Sequence, residues 1–293
     1  MRKHVSWFIF LAFIAGIFVM GCAGDDGDDG ATGPAGEDGT DFPGPLPEEY
    51  VDADGVAGGS VYDQWYSTLA GGQGSLTANY GYTYDGAADG ADADFVRCKA
   101  CHGWDGLGTM GAYVNRGPNA TRPTVAAVNL RSTIHSVTPQ ALFDLIQGEG
   151  GRDFNAGGTG HPDYSGLLTD SQIWNLVKAM LEEWLNPNDL YTITVNGVYP
   201  SGTRTFSNVG VGGDAANGAS LFSTICADCH GADGQTISID GGTLGAFMRA
   251  SPHEAWHKMK FGQPGSIMPE GLISATSDIQ DLYLAFQNAT NYP

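Results

Sequence analysis

Apolar residues recur at helical spacing in both halves of the chain, and residues typical of helix N-termini precede them. In the first half, Thr169 and Gln172 have the spacing of a capping box. The apolar stripe that follows consists of Ile173, Leu176, Val177 and Met180. A helix predicted to begin near Ser277 carries a second stripe, which consists of Ile279, Leu282, Tyr283 and Phe286. These patterns predict a mainly α-helical protein.

Further helices are indicated by their starts. Thr138-Pro139 predicts a helix over 141–147, Ser251-Pro252 predicts another, and residues 214–223 read as a short helix. A Gly-rich loop over 148–160 separates two helices of the first half. The chain has 44 Gly among 293 residues, so much of it is predicted to be loop, and this composition disfavours a large sheet.

The N-terminus has the pattern of a secretory signal. Two basic residues precede an apolar run over 5–20, which is short for a membrane-spanning helix. The run ends at Gly21-Cys22, which resembles the lipobox of bacterial lipoproteins. That resemblance implies a signal peptide over 1–21 and a lipid on Cys22. The alternative is an uncleaved anchor helix with an incidental cysteine.

Six Gly-X-Y triplets follow in register, beginning at Gly24. A triple helix needs Gly at every third position, but this tract has one Pro and seven acidic side chains that would repel one another. We therefore predict that residues 22–59 form a disordered, collagen-like tether. A trimeric stem remains the alternative.

The charge balance narrows the range of partners. The chain has 13 Lys and Arg against 33 Asp and Glu, a net charge of −20. Binding to nucleic acid or to an anionic lipid surface requires clustered basic residues. The sequence therefore predicts no nucleic-acid partner and favours membrane attachment through the lipid alone.

Four of the five cysteines lie in two copies of one motif, Cys-x-x-Cys-His, 128 residues apart. The copies comprise Cys98, Cys101 and His102, and Cys226, Cys229 and His230. This motif is typical of covalent attachment of c-type haem, in which two thiols bind the porphyrin and the His binds the iron. A four-Cys zinc site does not require the two His residues, and a thioredoxin-like pair is usually single. Disulfides are possible in an exported chain.

The second half resembles a class I cytochrome c domain. The resemblance rests on the helix before Cys226, a middle helix, the segment Ile267-Met268-Pro269 and a C-terminal helix. It implies that Met268, 38 residues after His230, is the distal iron ligand. It also implies a close crossing of Gly218 with Tyr283 or Phe286. Met248 and Met259 are weaker candidates for the ligand.

The first half has the same skeleton with one change. Gly160-His161-Pro162 stands where the family has Met-Pro, so the resemblance assigns the distal position to His161, 59 residues after His102. His135, just before a helix, is the competing ligand, and an open site is the third possibility. Met110 lies close to His102 in sequence, and Met180 belongs to a helix stripe.

The predicted fold is two class I cytochrome c-like haem domains in tandem, mainly α and loop-rich, after the tether. The predicted segments are the signal peptide 1–21, tether 22–59, haem domain 60–186, linker 187–212 and haem domain 213–293.

The segment from His253 to His257 matches H-E-x-x-H, the zinc-protease motif. It lies inside the second predicted haem domain with no third ligand motif after it. We interpret it as one surface-facing His and one packing His; His257 also remains a minor alternative to Met268.

The resemblance implies an electron carrier with two covalently bound haem c groups and no catalytic residue. A bis-His first haem would have the lower potential and a His/Met second haem the higher, so electrons would pass from the first to the second. Donor and acceptor would be redox proteins in the periplasm or at the cell surface, with the lipid in the outer membrane. The alternative is a di-haem peroxidase in which His161 is displaceable. Thiosulfate oxidation at a Cys-ligated iron is disfavoured, because no Cys is spare.

Overall fold

A computed structural model describes residues 45–69, 96–119, 121–148 and 161–293, and the backbone of 83–84 and 87–88. All of these belong to one compact unit, Thr40–Pro293. The predicted signal peptide, Cys22, the Gly-X-Y tract and most of the loop 148–160 lie outside the described residues. Within the described ranges, no helix has the length and apolar character needed to span a membrane.

Short helices dominate the first half. They are α1 (Glu48–Val51), α2 (Gly55–Gln64), α3 (Cys98–His102), α4 (Leu130–Thr133), α5 (Pro139–Ile146) and α6 (Asp170–Lys178). Short 3₁₀ turns are formed by Trp65–Thr68, Gly108–Met110 and Ile134–Ser136, and a π-helical turn, Ala179–Glu183, continues α6. Strands β1 (Thr83–Tyr84) and β2 (Ala87–Ala88) pair antiparallel. The predicted capping box of Thr169 and Gln172 is confirmed at the start of α6.

Helices α2 and α6 cross at Gly58. A Cβ atom at this position would lie 1.9 Å from the carbonyl oxygen of Asn175, so only glycine allows the backbones to approach this closely. Asp54 caps α2 through its side chain, and its own N–H donates to Oδ1 of Asn175 at 2.8 Å. Helix α2 therefore begins inside the residues predicted as tether, and Tyr50 before it is buried.

The predicted linker, 187–212, contains regular structure. It comprises α7 (Pro187–Leu190) and an antiparallel hairpin of β3 (Thr192–Asn196) and β4 (Thr203–Ser207). The hairpin packs against the first half: Tyr199 Oη accepts from the N–H of Val125 at 3.1 Å, and Arg204 donates to the carbonyl of Ala112. These contacts make the segment part of the folded core.

The second half repeats the helical skeleton. Its elements are α8 (Ala215–Leu221), the π-helical turn Phe222–Cys226, α9 (Ala227–His230), α10 (Leu244–Ala250), α11 (Pro252–Phe261) and α12 (Thr276–Phe286). The predicted apolar stripe of α12 is confirmed, because all four of its side chains are buried. The helix begins one residue before Ser277 and has no side-chain cap.

Helices α8 and α12 cross in the same way as α2 and α6. A Cβ at Gly218 would lie 1.9 Å from the carbonyl oxygen of Asp281, and Leu282 is next to it. The crossing therefore involves Gly218 as predicted, but it meets the backbone one to two residues before Tyr283. Asp214 caps α8, and its N–H donates to Oδ1 of Asp281 at 2.5 Å, as Asp54 does with Asn175.

One hydrophobic core runs through both halves. It extends from Tyr50 to Tyr292 and includes Trp65 of the first half and Trp256 of the second. The described residues do not divide at the predicted boundary between two haem domains, because α11 packs into the first half through its aromatic side chains.

Candidate functional site

The first Cys-x-x-Cys-His motif forms α3. Cys98, Cys101 and His102 stand at i, i+3 and i+4 of this five-residue helix, so they share one face. Gly103, with φ of 77°, ends the helix in a conformation that suits glycine. Both cysteines are free thiols. The local chain therefore presents two sulfur atoms and one imidazole in the same direction.

This face opens into a cleft of about 300 Å³, a volume that includes the part of its mouth open to solvent. The cleft is lined by Val96, Arg97, Cys98, Cys101, His102, Pro123, His161, Pro162 and Tyr164. Its walls are mostly apolar, and its thiols and imidazoles are the groups that hold a c-type haem.

The imidazoles of His102 and His161 face each other across the cleft. Their ring centres are 6.3 Å apart and their planes differ by 26°. An iron atom held by two imidazoles separates the ring centres by about 6 Å, since each metal–nitrogen bond is ~2 Å and each nitrogen lies ~1 Å from its ring centre. The 6.3 Å separation of the two rings therefore matches the spacing that one iron between them would require.

His161 is oriented by its neighbours. Its Nδ1 lies 2.9 Å from the carbonyl oxygen of Pro162, and donation of that hydrogen bond places the proton of the neutral ring on Nδ1, the tautomer in which Nε2 is the metal-binding nitrogen. The ring of Tyr164 is 6.0 Å away, and its hydroxyl donates to the carbonyl of Val96, two residues before Cys98. These contacts tie the segment that carries His161 to the start of the motif.

Burial keeps the groups of this site uncharged. It lowers the pKa of His102 to about 3, with a further contribution from His161. It also raises the pKa of Cys98 and of Cys101 to about 12. The imidazole is therefore in the neutral form that binds metal.

His135, the competing candidate, lies elsewhere. It belongs to the 3₁₀ turn Ile134–Ser136, is partly buried, and is not among the residues lining the cleft. The structure thus brings His161, and not His135, to the cleft that contains His102.

The second motif spans the end of the π-helical turn and α9. Cys229 is exposed, His230 is half-buried, and burial lowers the pKa of His230. The carbonyl of His230 accepts a hydrogen bond from the N–H of Thr236 at 3.0 Å. Met268 lies partly buried on the loop between α11 and α12, where its carbonyl accepts from Gln263. Ligation of one iron by His230 and Met268 stays a prediction.

The H-E-x-x-H segment is a packing element, and the expectation of one surface-facing His is wrong. Both residues are buried, with 3% of His253 and 1% of His257 exposed. His253 stacks on Phe206, and Nε2 of His257 donates to the carbonyl of Trp104 at 2.6 Å. Across the described ranges, no group of three or more His, Cys, Asp or Glu could hold a metal ion.

A buried cluster of charged side chains lies beside the cleft. Asp63 forms ion pairs with Arg97 and Lys258, and its carboxylate lies 3.8 Å from Nζ of Lys99. Only 3% of the Asp63 side chain is exposed. No sequence pattern indicates this cluster, because its members come from α2, the first motif and α11. It places compensated positive charge at the edge of the cleft.

The cytochrome c family model matches residues 87–182, about a third of the chain. The matched span contains the first motif, α5, His161 and all of α6. No curated protein matches the chain. A mainly helical fold with a cytochrome c domain supports a c-type cytochrome, and this family binds haem c covalently.

Proposed function

We propose that this chain is a di-haem c-type cytochrome that transfers electrons. Cys98 and Cys101 would attach the first haem, with His102 and His161 as iron ligands. Cys226 and Cys229 would attach the second, with His230 and Met268 as ligands. The observation that carries the proposal is the 6.3 Å separation of the His102 and His161 rings across a cleft lined by both thiols.

Haem c supplies a one-electron couple at iron, and the chain sets its potential through the axial ligands and their surroundings. His161 offers an imidazole nitrogen, which stabilises the oxidised state more than the thioether of Met268 does. The ligands therefore favour electron movement from the first site to the second. Both irons would have two protein ligands, which favours transfer over catalysis.

The structural repeat supports the second site. Asp54, Gly58 and Asn175 of the first half have counterparts in Asp214, Gly218 and Asp281, with the same cap, the same close approach and the same hydrogen bond. This repeat indicates a second cytochrome c-like unit, although the family model matches only the first half.

No contact among the described residues favours the di-haem peroxidase alternative in the way that these contacts favour electron transfer. Such an enzyme needs His161 to leave the iron, whereas the hydrogen bond to Pro162 and the adjacent Tyr164 favour a fixed ligand. We therefore retain electron transfer as the proposed activity.

The proposed location is the periplasm or cell surface, with a lipid on Cys22 holding the chain to the outer membrane and the following tether giving it reach. The net charge of −20 favours redox partners with basic faces and gives no support to nucleic-acid binding.

Mass spectrometry of the mature protein tests the haem count. We expect two haem additions, and one after replacement of Cys226 and Cys229 by alanine. A single addition in the unmodified protein would overturn the second site. Visible and EPR spectra of the same sample should contain two low-spin species; a high-spin species that turns over peroxide would instead favour the peroxidase.

A further inference from the structure

Helix α2 contacts the loop that carries Met268. Besides the Gly58 face that meets α6, it presents Gly59 and Ser60 to the end of α11, where the loop Gly262–Gly271 begins. Gly59 and Ser60 are both buried. A helix of the first half thus touches the segment that holds a proposed ligand of the second half.

Gly59 makes room for Phe261. A Cβ atom at Gly59 would lie 2.1 Å from the aromatic ring of Phe261, a distance that forces the ring or the helix to move. The equivalent position of α8 is Ala219, whose methyl group is partly buried against the core. The glycine therefore reflects contact between the halves and not the repeat itself.

Ser60 joins both ends of the loop. Its hydroxyl donates to the carbonyl of Phe261 at 3.0 Å, and Ser60 Oγ also lies 3.2 Å from Oε2 of Glu270, a second acceptor. Phe261 is the last residue of α11, and Glu270 lies near the end of the loop. One buried hydroxyl thus contacts the residue before the loop and a residue at its far end.

Hydrogen bonds between its two ends hold the loop together. The N–H of Gly271 donates to the carbonyl of Lys260 at 2.9 Å, and the N–H of Gln263 donates to the carbonyl of Met268 at 3.1 Å. The N–H of Met268 donates to Oγ of Ser266 at 3.1 Å. Since Met268 is hydrogen-bonded to other residues of the loop, a shift at the two ends of the loop also displaces Met268.

We propose that Gly59 and Ser60 are positioning residues for Met268, so that the N-terminal helix of the first half holds the distal ligand of the second site. This rests on the proposed function, in which Met268 binds the second iron. As a consequence, the second half needs the first half to keep Met268 on the iron. Covalent attachment of haem at Cys226 and Cys229 does not need the first half.

Competition by imidazole in the ferric holoprotein tests this. Added imidazole replaces the Met sulfur on iron, one bond breaking as another forms without electron transfer, and the weak near-infrared band of Met–Fe(III) is lost. Ser60→Ala should raise the apparent affinity for imidazole about fivefold to tenfold, the equivalent of one buried hydrogen bond. The matched control is Ser220→Ala at the exposed equivalent position of α8, which should leave the affinity unchanged.

The outcomes separate the two proposals. If the unmodified protein has no Met–Fe(III) band, the ligand assignment in the proposed function and this inference both fail. If the band is present and Ser60→Ala titrates like the unmodified protein, only the positioning role fails. If Ser60→Ala does not fold, Glu270→Ala at an exposed side chain decides: higher imidazole affinity supports the inference, and unchanged affinity overturns it.

Discussion

The two Cys-x-x-Cys-His motifs continue into nearly identical sequences, Cys101-His-Gly-Trp-Asp-Gly106 and Cys229-His-Gly-Ala-Asp-Gly234, yet their surroundings differ. Trp104 and Asp105 are buried, whereas Ala232 and Asp233 are exposed. Nζ of Lys99 and Nζ of Lys258 lie 4.1 and 4.5 Å from the centre of the Trp104 ring.

This difference places the contact between the halves at the first motif. The carbonyl of Trp104 accepts a hydrogen bond from His257 of α11. The first motif is therefore covered by a helix of the second half, whereas the second motif has no such cover among the described residues. Covering a haem site with protein lowers the local dielectric constant, which changes the reduction potential of the iron and the strength with which its ligands bind. One skeleton therefore provides two different environments, and the experiments below alter them in turn.

The largest expected effect comes from exchanging the distal ligands. His161→Met should raise the reduction potential of the first proposed haem (haem 1) and add a near-infrared band. Met268→His should lower the reduction potential of the second proposed haem (haem 2) and abolish its band. Each shift should be roughly 0.1 V or more, within the ~0.8 V range that axial ligands span. Redox titration measures it, with His135→Gln as the unaffected control. A shift in His135→Gln and none in His161→Met would assign the ligand to His135.

Trp104→Ala removes the residue that distinguishes the motifs. Loss of a fully buried indole should destabilise the fold by about 3–5 kcal/mol, measured by denaturant unfolding. Trp104→Phe, which retains most of the buried area, should cost clearly less. Equal costs would mean that the apolar contact is not what couples the halves.

Asp63→Asn leaves Arg97 and Lys258 without their carboxylate. We expect a loss of about 3 kcal/mol, because the cluster is buried. Removal of a negative charge beside the first cleft should also raise the potential of haem 1 more than that of haem 2. The matched surface variant is Asp52→Asn on an exposed side chain, for which neither quantity should change.

Gly58→Ala and Gly218→Ala test the equivalence of the two helix crossings. Each added methyl group meets a backbone carbonyl and should cost about 1–3 kcal/mol. Since one core joins the halves, both variants should shift a single thermal transition. Gly166→Ala, where nothing lies within 4 Å, is the control. A second, independent transition in Gly218→Ala would indicate separately folding halves.

The smallest effect, taken per pH unit, is the loss of stability in acid. Burial, with the charges of Arg204 and Lys99, lowers the pKa of His253 from 6.5 to about 3. Between pH 6.5 and pH 3 the imidazole of His253 is protonated in the unfolded chain but not in the folded chain. The free energy of unfolding therefore falls as the pH drops from 6.5 towards 3. The slope is about 1 kcal/mol per pH unit. His253→Phe should flatten this part of the stability profile; an unchanged slope would assign it to other groups.

Local sequence determined the elements whose signals lie within one or two turns. The capping box of Thr169 and Gln172, the stripe of α12 and the spacing of Cys98, Cys101 and His102 all follow from helical periodicity. Helix α2 escaped prediction because Gly55, Gly58 and Gly59 give it little helix propensity, and only its neighbours make those glycines favourable.

Tertiary structure decided what distant residues do together. The approach of His161 to His102, the burial of Asp63 beside Arg97 and Lys258, and the contact of Ser60 with Phe261 each join segments far apart in the chain. The same holds for His253 and His257, which local pattern marks as a zinc motif and packing turns into core. A short motif specifies which atoms a segment presents, whereas burial and partners depend on every element folded around it.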